Sequence, residues 1–432
     1  MKIAAVSSAF CAAAVIAGAG SVPGAAQDEA AASPFTFEAS TRVRYESLSD
    51  AYRAGRNGSD QQVSWRTRAL AEYDAGALTF GGEFFDSRAY LTDEGSYLTS
   101  TAINTLEVLQ AYVRGAFDGG EIQAGRFVMN IGSRRLVGEN SFRNFPASFE
   151  GVRGDFSLGE GLTLDAFYTA PVSRKPGGRA ALRDNEHEFD EGDWDTRFWA
   201  AHLTREDLAP GLAGEVYLYG LNEDGGDDRY TVGARVSGER GAVDIDLEAM
   251  IQTGETGAGE DVAAHNLHAE AGYTFQGAWS PRIAAQLIYA SGDDDPFDAE
   301  DNGFDRLYGL RRGQLGQTGI FGPLDVENIV SLGARLEVRR GPVQAHVLVQ
   351  DVSLASDTDR WKRAGLRDPS GASGDHIGQI IDTRLRWWLV PDRYRLETGA
   401  AVLFKGDFAT DAPGAPADED PVYGYVMLTR HF

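Results

Sequence analysis

Cysteine is almost absent from this 432-residue chain: the single one, Cys11, lies in the first apolar run. Beyond that run, a disulfide framework, a thiolate metal site and a cysteine nucleophile are all excluded. Lysine is nearly as scarce. Lys2, Lys175, Lys362 and Lys405 are the only ones, so almost every cation is an arginine. After the first residues no window approaches the about 20 apolar residues that a transmembrane helix needs. No sustained 3.6-residue apolar period is present either, which argues against helical domains. Positive charge is itself in deficit, with 65 acidic against 40 basic residues and a net charge of -25. That balance excludes nucleic acid as a partner and opposes adhesion to anionic headgroups.

What is present begins with a secretory leader. Lys2 supplies a positive start, Ile3 to Ala17 form an apolar run too short to span a bilayer, and Gly24-Ala25-Ala26 offers a cleavage site before Gln27. Cys11 sits inside the apolar run with no leucine-led lipobox before it, so a lipoprotein is not expected. Residues 1–26 are thus read as a signal peptide, 27–34 as a flexible segment and 35–432 as one domain.

From Thr36 onward apolar and polar residues alternate with period two, the mark of half-buried strands. Phe37, Ala39, Thr41, Val43 and Tyr45 share one face, opposite Glu38, Ser40, Arg42, Arg44 and Glu46. Val63, Trp65, Thr67, Ala69, Ala71 and Tyr73 oppose Gln62, Ser64, Arg66, Arg68 and Glu72. The split recurs at Val243–Gln252, Val330–Arg339, Ile381–Leu389 and Arg393–Phe404. A soluble sandwich alternates too, but the connections separate the cases. Short turns such as 74–76, 118–120, 159–161, 339–342 and 391–393 alternate with long acidic or Gly-rich loops at 47–60, 91–103, 173–192, 292–327, 355–377 and 406–421. Short periplasmic turns and long extracellular loops mark a transmembrane antiparallel β-barrel, here of about 18 strands. The 52 glycines and 10% aromatics suit that class. The chain ends on Phe432, an aromatic terminus of the kind that barrel-assembly machinery reads; Arg430 shares its face and must snorkel to the membrane edge. A barrel of this size encloses an aqueous channel, so transport is the expected function.

The inward face carries arginine pairs: Arg42 with Arg44, Arg66 with Arg68, Arg335 with Arg339, Arg384 with Arg386 and Arg393 with Arg395. Same-face neighbours on a strand are about 6.5–7 Å apart. Such ladders present forked, charge-assisted donors to carboxylates. The competing reading has them neutralise inward acids such as Glu38, Glu72, Glu83, Glu248, Glu270, Glu337, Asp382 and Glu397. The two are compatible, since acids can orient arginines about a constriction.

Between Leu106 and Pro171 the chain becomes distinctive. Leu109-Gln110-Ala111-Tyr112-Val113 is followed by Gly125-Arg126, Gly132-Ser133-Arg134-Arg135-Leu136-Val137-Gly138, Phe142-Arg143-Asn144-Phe145 and Phe149-Glu150-Gly151-Val152-Arg153. In order and spacing this resembles the alginate export family of outer-membrane proteins. The resemblance implies an 18-stranded barrel with an electropositive constriction that passes anionic polysaccharide. It puts Arg126, Arg134, Arg135 and Arg153 first among candidate pore residues, ahead of Arg42, Arg44, Arg66, Arg68, Arg114, Arg335, Arg339, Arg384 and Arg386. Phe127, Phe142 and Glu150 depart from the family's usual glutamine, tryptophan and aspartate, which bears on the substrate rather than the fold. The inward direction of Arg126 requires a bulge, because Ile122 and Ala124 share its parity.

Other constellations carry less. His265 and His268, three apart, fall on opposite faces of a strand and do not chelate together. His187 and His376 are the rim histidines that an outer-membrane enzyme would use, but no ordered serine motif accompanies them. The run Asp293, Asp294, Asp295, Asp298, Glu300, Asp301, Asn302 and Asp305 has oxygens that suit weak Ca2+ binding without the spacing of a known loop. Its length makes it a candidate lid.

The expectation is therefore a passive, anion-selective channel in the bacterial outer membrane, monomeric, with no covalent chemistry and no cofactor. Its partners are outer-membrane lipid, lipopolysaccharide and an anionic polysaccharide or small anionic solute. A porin for small anionic nutrients is the alternative, followed by a rim enzyme or a sealed structural barrel.

Overall fold

Period-two alternation over long segments has one stable outcome in lipid. Every backbone N–H and C=O must be paired, so the strands must close into a ring. The computed structural model, which describes residues 33–93, 96–97, 101–295 and 297–432, shows that ring. The leader 1–26 with Cys11, and residues 27–32 of the flexible segment, lie outside the described residues. The strands are β1 (Phe35–Leu48), β2 (Asp60–Asp74), β3 (Leu78–Tyr90), β4 (Asn104–Phe117), β5 (Gly120–Phe127), β6 (Phe149–Gly159) and β7 (Leu162–Ser173). After the two-residue β8 (Glu191–Gly192) come β9 (Thr196–Ala209), β10 (Leu212–Glu223), β11 (Asp228–Arg240), β12 (Val243–Glu255), β13 (Asp261–Thr274) and β14 (Arg282–Ala290). The two-residue β15 (Glu300–Asp301) precedes β16 (Ile329–Arg340), β17 (Val343–Ser353), β18 (His376–Val390), β19 (Tyr394–Lys405) and β20 (Val422–His431). With β8 and β15 set aside, neighbours pair antiparallel in chain order and β1 closes on β20, giving a barrel of 18 strands.

The register confirms the faces read from alternation. Val43, Leu247, Ile251, Leu332, Leu336 and Trp387 are exposed on the outside, while Arg42, Gln62, Glu248, Asp382 and Glu397 are buried inside. A soluble surface with that much large apolar area would aggregate; a lipid-facing band requires it. Arg430 lies 4.2 Å above the Phe432 ring and near Tyr394, which lets its charge share the membrane edge with aromatics.

The interior departs from a simply polar lumen. A loop at 128–148, read from sequence only as motif, leaves the end of β5 and turns into the barrel. The long loop between β14 and β16 divides: its acidic first part, where β15 pairs with β13, remains at the rim, whereas its second part is buried. Together the two inserted segments build an apolar cluster inside the barrel that includes Ile131, Leu136, Val137, Phe142, Leu315, Ile320 and Phe321. The acidic run is thus only the outer half of a segment that inserts rather than simply capping the mouth.

Candidate functional site

The two inserted loops meet through their backbones. Val137 bridges Tyr308, the Tyr308 N–H donates to the Leu136 carbonyl at 3.0 Å, and the Leu310 N–H donates to the Arg134 carbonyl at 2.9 Å. Only glycine fits at position 309, where a Cβ would lie 1.7 Å from the Arg135 carbonyl oxygen. At Gly132, φ +50°, a Cβ would come within 2.6 Å of His202 and Glu215 of the wall.

The wall arginines hold this assembly in place. Arg42 donates to the carbonyls of Ser141 at 2.7 Å and Arg143 at 3.0 Å and to Asn144 Oδ1 at 2.8 Å. Arg66 donates to the Ser141 carbonyl at 3.0 Å, and Arg44 to the Phe142 carbonyl. Arg42, Arg44 and Arg66 are 2%, 2% and 7% exposed, so these ladder residues face inward but are spent on the loop, not on an open channel. Arg44 also pairs with the inward acid Glu46 at 2.9 Å, as the neutralising alternative expects; the main-chain carbonyl partners were not foreseen from the sequence. Phe142 is clamped between Arg44, 4.1 Å from its centroid, and Arg312, at 3.7 Å.

Most other candidates are ion-paired. Arg68 bonds Glu83 at 2.6 Å and also Glu139, and Arg114 reaches Glu72 at 3.1 Å. Arg135 grips Asp246 at 2.8 Å and Glu248, fastening the first loop to β12. Arg153 pairs with Asp155 at 2.9 Å, Arg335 donates to the Gly313 carbonyl at 2.9 Å, and Arg386 meets Glu397 at 2.9 Å. Arg339, at the turn end of β16, is exposed. Arg384 faces inward without an ion pair among the described residues. Arg395 lies 5.5 Å from the Trp388 centroid.

Arg126 is a correction. No register shift interrupts β5 against β4 or β6, so the required bulge is missing. Arg126 stays on the face of exposed Ile122, opposite buried Gln123 and Phe127. It bonds Glu150 at 2.7 Å and Glu107 at 3.2 Å on the outer side of the rim, away from the lumen.

What remains is Arg134, whose backbone lies at the loop crossing, and a separate set in which Arg306, Arg311 and Arg174 surround Arg143. Arg134 is exposed, and among the described residues its guanidinium makes no ion pair or side-chain hydrogen bond. Arg143 likewise has no side-chain partner; burial, then the charges of Arg306, Arg311 and Arg174, hold its pKa well below the usual arginine value. Burial pushes Arg311 down to about 9, and it donates to the carbonyls of Gly322 and Leu324. Arg174, from the loop after β7, lies over Phe145 at 5.5 Å, its buried Nε without a hydrogen-bond partner among the described residues. Asp325 answers this crowd by pairing with Arg306 at 2.5 Å. Several guanidiniums with so few acids form a site short of anions. Sequence reasoning did not single out Arg143, Arg174, Arg306 and Arg311 as site residues, because they lie in loops where alternation says nothing.

The histidines stay separate. His268 is buried inside while His265 stacks on Tyr289 outside, His187 Nδ1 lies 2.7 Å from the Thr105 carbonyl, and His376 meets Asp351 at 3.2 Å. Among the described residues no three His, Cys, Asp or Glu side chains converge as a metal would require, the acidic rim loop included.

Against known proteins, no curated sequence matches. Solved structures do. OccK11 (OpdR) of Pseudomonas aeruginosa superposes with a TM-score of 0.59 at 15% identity, covering 92% of this chain and 96% of its own. OpdQ of the same organism gives 0.61 at 12%, covering 92% and 97%. OpdK, crystallised with vanillate, gives 0.62 at 12%, covering 92% and 98%. At such identities the likeness establishes the fold, that of an outer-membrane porin. The alginate export family profile matches residues 33–422, nearly the whole barrel. The chain belongs to the alginate export family.

Proposed function

We propose that this protein is a passive, anion-selective outer-membrane channel for anionic polysaccharide or uronate-type solutes. The observation that carries this reading is that, among the described residues, Arg134 and Arg143 on the first inserted loop and Arg174 make no ion pair with a carboxylate. A passing carboxylate supplies the missing acceptors to one guanidinium after another, and repulsion among the arginines keeps any one complex weak, as conduction requires. In this reading the barrel is a monomer in lipid and lipopolysaccharide, delivered by the assembly machinery, and it performs no covalent step and needs no cofactor.

A second reading, uptake of small anionic nutrients, is favoured by one observation: a fold relative was crystallised with vanillate, a small carboxylate. Planar-bilayer recording separates the two. An anion-selective current blocked by alginate or oligouronates supports the polymer. Block by small acids alone supports the nutrient, and absence of current defeats both readings.

A further inference from the structure

Arg126 belongs to the family-like motif yet lies outside the lumen, and its contacts lead back toward the pore. All three of its nitrogens are engaged. Nε and Nη2 donate to Glu150 Oε1 at 2.9 and 2.7 Å, Nη1 to Glu107 Oε1 at 3.2 Å and the Val108 carbonyl at 3.2 Å, and Nη2 also to the Asp190 carbonyl at 3.1 Å. Glu107, 2% exposed, accepts the Asp190 N–H through its other oxygen at 2.8 Å. Asp190 is thus held by both sides of its peptide backbone. Its carboxylate in turn accepts the Lys175 N–H at 2.7 Å and Asn104 Nδ2 at 2.7 Å. Lys175 follows Arg174, whose guanidinium lies over Phe145 beside Arg143.

We infer that Arg126, acting through Glu107 and Asp190, is a positioning residue for Arg174: a strut outside the barrel that fixes one guanidinium inside it. The inference rests on the anion-channel reading for its consequence, though not for its geometry. A fully bonded arginine flanked by Glu107 and Glu150 is not itself an anion site. A forked side chain that spans β4, β6 and the loop after β7 is suited to set where that loop sits. Lysine offers one point charge and cannot make the same set of bonds.

The test uses the full chain refolded into bilayers or liposomes, with a spin label on Lys175→Cys and with selectivity and block by an alginate-derived oligouronate as separate readouts. Arg126→Ala is expected to free the label and weaken block by about tenfold, the scale of one charge-assisted hydrogen bond. Arg174→Gln should weaken block equally without freeing the label, and combining the two should add little. Arg126→Lys should restore part of both effects. If Arg126→Ala does not assemble, Glu150→Gln, which keeps the side chain's size, takes its place. A label that stays immobile, or freed with block unchanged while Arg174→Gln weakens it, overturns the inference. A parent channel with no anion preference overturns the channel reading instead, leaving the label to decide the anchoring.

Discussion

An arginine withdrawn from water needs acceptors for its donors, and Arg42, fully buried, and Arg143, partly buried, meet that need to different degrees. Arg42 engages both terminal nitrogens with two carbonyls and an amide oxygen, while its buried Nε has no partner among the described residues. Removing it leaves buried acceptors unpaired, at a cost of about 1–3 kcal/mol for each. Arg42→Ala is therefore expected to loosen the 128–148 loop, read as protease cleavage within it and as noisier single-channel current. Arg143 has no side-chain partner among the described residues and is crowded by Arg306, Arg311 and Arg174, with Asp325 opposing them. Arg143→Glu should relieve that crowding, leave the barrel's heat-modifiable gel mobility unchanged and sharply lower anion over cation permeability. Unaltered reversal potentials would show that the arginine group does not face the permeating ion.

Among elements, the decisive contact is between the two inserted loops, and it depends on a missing side chain. A Cβ at Gly309 would meet the Arg135 carbonyl at 1.7 Å, whereas one at Gly313 meets nothing within 4 Å. Gly309→Val should separate the loops and raise unit conductance with frequent transitions; Gly313→Ala, on the same segment, should behave as the parent. The loop after β7 adds a pH dependence. Burial, then the charge of Glu107, pushes the Asp190 carboxyl up to about 6, against the opposing pull of the Lys175 N–H, Asn104 and Arg174. A carboxyl raised in the folded state binds its proton more tightly there than when the loop is undocked. Docking is therefore strongest in acid and weakens as pH climbs through about 6. Hydrogen exchange, corrected for intrinsic rates, should show protection of the 174–195 segment falling from about pH 4, the ordinary carboxyl value, to about pH 6 and levelling off above it. Asp190→Asn should flatten the profile, because the amide does not titrate and Asn104 Oδ1, buried without a partner among the described residues, can turn to accept from it.

At the scale of the molecule, a chain of net charge -25 holds a positive arginine set inside a wall whose charges are largely paired. The outer acids repel polyanions at long range, so the anion selectivity we propose has to arise close to the arginines. Salt then provides a direct test: screening lengths shrink from about 10 Å at 0.1 M to about 3 Å at 1 M. The anion preference in reversal-potential measurements should persist at 0.1 M and fade toward 1 M. Selectivity that ignored ionic strength would indicate a purely steric filter.

The barrel itself was legible because period-two alternation and the contrast of turn with loop are local properties, each strand carrying its own record of which side meets lipid. The inward faces of Arg42, Arg66, Arg384 and Glu397 follow from the same parity. The parity that Arg126 shares with Ile122 already signalled its outward direction, and the motif outweighed it. The 128–148 segment also left a trace, since alternation stops after Phe127 and resumes at Phe149 with no turn pair between. By itself, then, the sequence determined the barrel, its strand number and which residues face inward, because those depend on local spacing. Only the tertiary structure decided which arginines are spent and which remain available. That depends on where two loops, far apart in the chain and without periodicity, come to rest against the wall.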